Sequence, residues 1–381
     1  MSHPLPPLIE ANQPVISEME ELRNYLDGLV PPKRDAARNV LIATWNLKEF
    51  GSLTTKWTAA DNDNPRRDWR ALWAITEIVS RFDIVALQEV EGDLQALRTM
   101  LKTLGDDWNF LITDKNVGHA GGGERLAFVF DARRVTLSGL ACELVLPDEQ
   151  LKAENIDPAS LRKQFARTPY AVGFRTGGET IILVTLHVCY GEDLDYRQAE
   201  LKAIADWMAN WAKETTEFEQ NLIVLGDFNI DRHDSPLYQA FVGTGLKVAP
   251  QLIDLPRSIF QNQADKRDKY YDQIAWFMDG NKRQLHLQCL KGNFVDFVKH
   301  LYKDIHLEPK AMQYRVSDHF PLWVEFACRS KEEVEAAQRE RKRKHKTLRE
   351  GLAPPPGRLA DEITTVHARA EHHDKPAIPT R

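Results

Sequence analysis

Short runs of aliphatic and β-branched residues recur along this chain, and several of them end at a polar residue where the apolar pattern breaks. Val40 to Trp45 runs into Asn46, Ile84 to Leu87 leads to Glu89, Ile181 to Leu186 to His187, and Leu222 to Gly226 to Asp227-Phe228-Asn229. Asp318-His319 stands in front of Phe320-Pro321-Leu322-Trp323. Runs of this length, bounded by turn residues, predict buried strands. Further strands are predicted at Leu126 to Phe130, Ala171 to Arg175 and Tyr271 to Phe277, set apart by turns such as Gly121-Gly122-Gly123 and Thr176-Gly177-Gly178. Two segments instead space their apolar residues by three and four: Trp69, Leu72, Trp73, Thr76 and Val79, then Leu201, Ile204, Met208 and Trp211. Both predict helices lying on a sheet. Many strands with few helices predict an α+β domain of two packed sheets flanked by helices.

The edges of that pattern divide the chain. Residues 1-37 are rich in proline and charge, hold a short amphipathic stretch at Ile16 to Leu29, and read as an N-terminal extension. The catalytic-sized domain spans 38-328, and 329-381 reads as a charged helix and a disordered tail. The stretch Glu332 to Arg349 carries both signs of charge, including the basic cluster Arg341 to Lys346, so a solvated helix is the plainer reading and a nucleic-acid contact the rival. The segment Gly280 to Tyr314 is long for a connection and reads as an extra helix over a sheet edge, with a substrate-selecting wall as the alternative.

Composition narrows the setting more than the chemistry. A chain of 381 residues with 43% hydrophobic content can bury a large core. No apolar run reaches the roughly 20 residues that span a bilayer, and Met1 to Glu10 lacks a signal-like pattern, so a cytoplasmic protein without a membrane span is expected. Cys142, Cys189, Cys289 and Cys328 show no paired spacing, which indicates neither a zinc site nor a disulfide framework. The net charge of −6 gives no overall pull on polyanions, although a hydrolase that grips phosphate through a metal and a few local cations does not need one. Nothing in the sequence names a protein partner.

The polar residues at the strand ends have the chemistry of phosphate-ester hydrolysis, which needs a cation on the phosphoryl oxygens, a base for water and a group to stabilise the leaving oxygen. Asn46 and Glu89 are hard oxygen donors of the kind magnesium or manganese accepts. Asp227 and Asn229, two apart, point to one side if extended and could hold a water or a phosphoryl oxygen together. His187 and His319 are the natural acid and base, and Glu124 and Asp272 are candidates to orient them. Singly, each has a plainer role as turn former, core histidine or helix-leading acid. Their recurrence at the ends of successive strands makes them a candidate site.

Read together, Trp45-Asn46-Leu47, Leu87-Gln88-Glu89-Val90, Leu186-His187, Gly226-Asp227-Phe228-Asn229, Tyr271-Asp272-Gln273-Ile274 and Ser317-Asp318-His319-Phe320-Pro321 resemble, in order, the motifs of the endonuclease/exonuclease/phosphatase superfamily. The resemblance covers roughly Val40 to Ala327. It implies a four-layered αββα sandwich of two packed, mostly antiparallel sheets, with a magnesium-dependent site at one end and manganese as a possible substitute. By motif, Asn46, Glu89 and Asp318 match metal-site residues, and Asp227 and Asn229 the pair that positions water and phosphate. His319 matches the base that activates water or stabilises charge on phosphorus, oriented by Asp272. His187, supported by Glu124, resembles the histidine-bearing side of the superfamily, the pancreatic-type deoxyribonucleases among them, and Arg167-Thr168-Pro169 resembles an element whose guanidinium reaches substrate phosphate. The function so implied is divalent-metal-dependent hydrolysis of phosphodiester bonds, with DNA as the substrate of an endonuclease. The alternative is a phosphatase or phospholipid phosphodiesterase acting on inositol phosphate or sphingomyelin. One departure stands out: after Glu89 the deoxyribonuclease form carries a groove-reading arginine, and here Val90-Glu91 follow.

Overall fold

Alternation along one strand sets the layering of this protein, as its computed structural model shows. In β1 (Asn39–Phe50), Val40 and Ile42 enter one buried cluster while Leu41, Ala43 and Trp45 enter another, so both faces of the strand are covered. The structure describes residues 3–34, 38–115, 123–144, 167–191, 193–213, 221–261, 265, 268–279, 282–283 and 285–352. The turn at Gly121-Gly122 and the tail predicted beyond residue 352 lie outside the described residues.

The first sheet has the order β12-β13-β1-β2-β4-β3 and the second β11-β10-β8-β7-β6-β5, with β9 also pairing β10. Their remaining strands are β2 (Ile84–Val90), β3 (Trp108–Ile112), β4 (Arg125–Asp131), β5 (Thr136–Glu143), β6 (Tyr170–Thr176), β7 (Glu179–His187), β8 (Asn221–Asp227), β9 (Leu246–Val248), β10 (Asp272–Asp279), β11 (Lys282–Arg283), β12 (Gln288–Phe294) and β13 (Leu322–Ala327). Inner-face residues such as Ile84, Phe128, Phe174 and Val184 fill the space between the sheets. Outside the first sheet lie α1 (Gln13–Leu29), α2 (Trp69–Val79) and α3 (Gln95–Leu104), through Leu22, Ile75 and Leu97. The second sheet is packed by α4 (Leu194–Lys213) and α5 (Pro236–Val242), through Leu201, Met208 and Phe241. The result is the αββα sandwich of two mostly antiparallel sheets.

Two helices start where sequence chemistry places them. Asp68 caps α2, its side chain accepting from Ala71 N, and Asn12 caps α1 by accepting from Val15 N. The N-terminal segment joins the outer core through Leu5, Met19, Leu22 and Leu26. The segment expected to be a helix over a sheet edge contributes a strand instead: β12 adds to β13 as an edge strand, and the short α6 (Pro309–Met312) follows it. Gln288, Lys291 and Gly292 leave this strand without the continuous apolar run that marks its neighbours.

Residues up to Lys331 belong to one compact unit, and a second begins at Glu332. Within the second, α7 (Lys331–Leu352) carries the basic cluster and an (i, i+4) pair in which Lys344 Nζ lies 2.8 Å from Glu340 Oε1.

One topological feature positions the site. Each sheet contains a single parallel pair on its path, β1 with β2 and β7 with β8, and the carboxyl ends of these strands carry Asn46, Glu89, His187 and Asp227. Antiparallel β10 starts at the same level, with Asp272 opposite Asp227, and β13 starts beside the end of β1, with Leu322 opposite Thr44.

Candidate active site

Asp227 stands at the centre. It is fully buried, and Asn46 donates from Nδ2 to its Oδ2 at 3.0 Å and to Glu89 Oε1 at 2.8 Å. His187 Nε2 lies 3.5 Å and His319 Nε2 3.9 Å from the same Asp227 oxygen. Burial alone would raise the Asp227 pKa, but the two histidines outweigh it and hold it below the ordinary value.

Both histidines are backed by carboxylates. Asp272 Oδ2 is 2.6 Å from His319 Nδ1, which leaves Nε2 facing Asp227. Burial opposes a charge on His319, yet Asp272 and Asp227 together hold its pKa well above the usual imidazole value. Glu124 Oε2 is 3.3 Å from His187 Nδ1, and Arg167 clamps the same carboxylate with Nε at 2.6 Å and Nη2 at 3.1 Å. Against the effect of burial, His187 and Arg167 bring Glu124 down to about 2. Arg167 Nη1 is buried without a hydrogen-bond partner among the described residues. A buried donor of this kind has a use for an anion's oxygen.

Asn229 departs from its sequence expectation. Its backbone is left-handed (φ 47°) rather than extended, so it does not share a strand face with Asp227. It donates instead from its backbone N to Asp227 Oδ1 at 2.8 Å and from Nδ2 to Val188 O at 2.8 Å, bracing the central carboxylate. The reason is local: β8 ends at Asp227, and the chain turns at once.

Glu89 also sits in left-handed backbone (φ 58°), at the bulge where β2 has a register shift against both β1 and β4. Lys48 and Glu49 share that conformation (φ 38° and 49°), and Glu49 N donates to Glu89 Oε2 at 3.1 Å. Non-glycine residues avoid this region, so a group of them here marks backbone held by its surroundings.

Lys48 is the site residue that sequence reasoning missed. Its Nζ is 3.4 Å from Asp318 Oδ2, and although burial opposes its charge, Asp318 and Glu89 hold its pKa above the ordinary value. Its place depends on the β1 turn, which no hydrophobic pattern announces. Arg67 was equally silent in the sequence. Buried at 2% exposure, it donates to the carbonyls of Leu47, Lys48 and Glu49 at 2.7–2.8 Å and of Arg315 and Val316 at 3.1 Å, joining the end of β1 to the segment before Asp318. Ser317 ties the same two segments, donating from Oγ to Asn46 O at 2.6 Å and accepting from His319 N at 2.9 Å.

The donor set fits a hard divalent cation. Glu89, Asp318 and the amide oxygen of Asn46 are oxygen donors, and the Lys48 ammonium shows that this corner already draws positive charge. Among the described residues no group of three or more His, Cys, Asp or Glu side chains gathers to hold a metal. One or two carboxylates completed by water suit magnesium or manganese and not zinc.

Fold and site together define a four-layered αββα sandwich that brings two carboxylate-backed histidines, a buried aspartate and hard oxygen donors to one end of its sheets. The chain belongs to the endonuclease/exonuclease/phosphatase family, whose profile matches residues 43–247. A deoxyribonuclease from Thioalkalivibrio sp. (strain K90mix) is 28% identical over 206 residues, covering 52% of this chain and 48% of that protein. The chain therefore spans about half the length of this curated relative. Among solved structures, an endonuclease/exonuclease/phosphatase family protein from Bacteroides thetaiotaomicron superposes with a TM-score of 0.51 at 17% identity, over 76% of this chain and 95% of its own. A mannosyl-6-phosphatase from Bacteroides thetaiotaomicron VPI-5482 gives a TM-score of 0.50 at 16% identity, over 75% and 99%. At these identities the structural likeness carries the fold alone. The family match ends before Asp272, Asp318 and His319, which enter the site at the start of β10 and from the segment ahead of β13.

Proposed function

We propose that this protein is a magnesium-dependent phosphodiesterase of the histidine-bearing branch of its family, acting as an endonuclease on DNA. The observation that carries the reading is the meeting of Asn46, His187 and His319 on one oxygen of buried Asp227, with Glu89 alongside. The similarity to a deoxyribonuclease supports the choice of nucleic acid as substrate.

In this reading Asn46 and Glu89, with Asp318 beside them, hold the metal, and manganese substitutes for magnesium. The bound cation supplies charge to offset the phosphoryl oxygens. Asp272 fixes Nδ1 of His319 and, with Asp227, favours its protonated form, so that Nε2–H meets the charge that develops on phosphorus. His187, oriented by Glu124, serves the leaving oxygen or the phosphate. Asp227 keeps both imidazoles facing one point, and Asn229 keeps Asp227 in place. Arg167, anchored by Glu124, offers Nη1 to a phosphate oxygen.

The test is plasmid nicking by purified protein in magnesium, with EDTA as the control. His319→Ala and Glu89→Ala should each lose activity by about 10²–10⁴-fold, the range of a positioned acid–base group. Undiminished nicking in both variants removes the mechanism. Release of inorganic phosphate from an inositol phosphate, or of phosphocholine from sphingomyelin, with DNA left intact would move the substrate to the phosphatase or phospholipid class.

A further inference from the structure

A cleft of about 420 Å³ opens between the Asp61–Arg67 loop and Tyr314. Its wall includes Lys48 and Glu49, the first reaching Asp318 and the second bonded through its backbone to Glu89. Tyr314 is 45% exposed, and the Lys48 ammonium lies 5.8 Å from the centre of its ring. The backbone under this ring is fixed, because the next residue, Arg315, is buried and pairs with Asp68 at 2.9 Å. The polar lining is mixed: the carboxylates of Glu49, Asp61 and Asp63 stand with the cations Lys48, Arg66 and Arg67 and the amides of Asn62 and Asn64.

A half-exposed ring bordered by amides and carboxylates is matched to a nucleobase: the base stacks on the tyrosine and its N–H edge meets oxygen. Three cations in the lining balance its three carboxylates, so the cleft has no net pull on a phosphate, and the backbone of a bound strand belongs on the metal side with its base in the cleft. A second exposed ring follows the end of β7. Tyr190 is 66% exposed and lies 5.5 Å from the guanidinium of Arg197, which also bonds Asn229 O. A duplex keeps its bases stacked on one another and offers neither tyrosine a face unless it is unstacked.

We propose that this cleft is a base subsite in which Tyr314 stacks on an unpaired nucleobase next to the scissile phosphate, so that the substrate is single-stranded or locally unpaired nucleic acid. The proposal rests on the phosphodiesterase reading above.

The experiment compares wild type, Tyr314→Ala and Tyr314→Phe in magnesium on a labelled single-stranded oligonucleotide, the same backbone with tetrahydrofuran abasic residues, and a blunt duplex. Tyr314→Ala should raise KM about tenfold on the base-bearing strand, the scale of one lost stacking contact. That penalty should be at least fivefold smaller on the abasic strand, Tyr314→Phe should restore KM, and the single strand should be cut in preference to the duplex. Equal penalties on the base-bearing and abasic strands, or a preference for the duplex, would overturn the subsite while leaving the phosphodiesterase reading standing. Failure of wild type to cut any of the three would overturn both.

Discussion

Replacing Arg67 by methionine should loosen the protein and its site together. Methionine keeps much of the length and removes every donor. The bonds to Leu47 O, Arg315 O and Val316 O are fully buried, and hydrogen bonds from a charged donor contribute about 1.5–3 kcal/mol each. Their joint loss costs about 5–9 kcal/mol. Against this, burial lowers the Arg67 pKa from 12.5 to about 10. Removing the charge therefore recovers about 3 kcal/mol of desolvation. The net expectation is a loss of about 2–6 kcal/mol, read as a lower urea midpoint at unchanged slope. In the same variant, assayed where it remains folded, kcat for diester cleavage should fall at least tenfold with little change in KM. That split is expected because the bonds join the Lys48-Glu49 turn to the segment leading to Asp318 and His319. Arg67→Lys, which keeps charge but not the fork, should recover only part of the stability. A methionine variant within about 0.5 kcal/mol of wild type, with kcat intact, would refute the reasoning.

Glu124 gives a pH test with a definite sign. Its folded pKa is lowered from 4.5 to about 2, so the stability it contributes is present above its unfolded pKa and is lost as pH falls toward 2. The stability gap between wild type and Glu124→Gln should therefore shrink by about 2.5 kcal/mol between pH 6 and pH 2.5 in denaturant titrations, and a constant gap would show that the clamp is not linked to folding. Gly226→Ala should be severely destabilising, since φ is +141° and an added Cβ would meet Leu186 O at 2.1 Å, backbone that cannot swing aside. A thermal melt within 2 °C of wild type would count against that packing.

The strands that build the site were legible because their residues are buried on both faces. The β1, β2, β7 and β8 strands read as continuous apolar runs, and the polar residue ending each run fell where the two parallel pairs terminate. The β5 and β12 strands were not legible, since both are largely exposed at sheet margins and their composition looks like loop. Within the site, the pairing of Asp272 with His319 was expected from motif resemblance, because no spacing connects residues 47 positions apart. The backbone geometry of Asn229 and the places of Lys48 and Arg67 escaped for a shared reason. Their positions depend on left-handed turns and on a loop folding back across β1, and neither leaves a periodic trace.

The left-handed residues around the site also bear on any effort to make this protein more robust. Lys48, Glu49, Glu89 and Asn229 each hold a conformation that glycine adopts without penalty, and for an ordinary side chain it costs about 1–2 kcal/mol. Glycine at these places would remove that tension, so a screen that rewards heat resistance alone would be drawn toward the very positions that shape the candidate site. Hardier descendants should be sought far from this rim, and variants enriched there by heating should be checked for silence before they are counted as improvements.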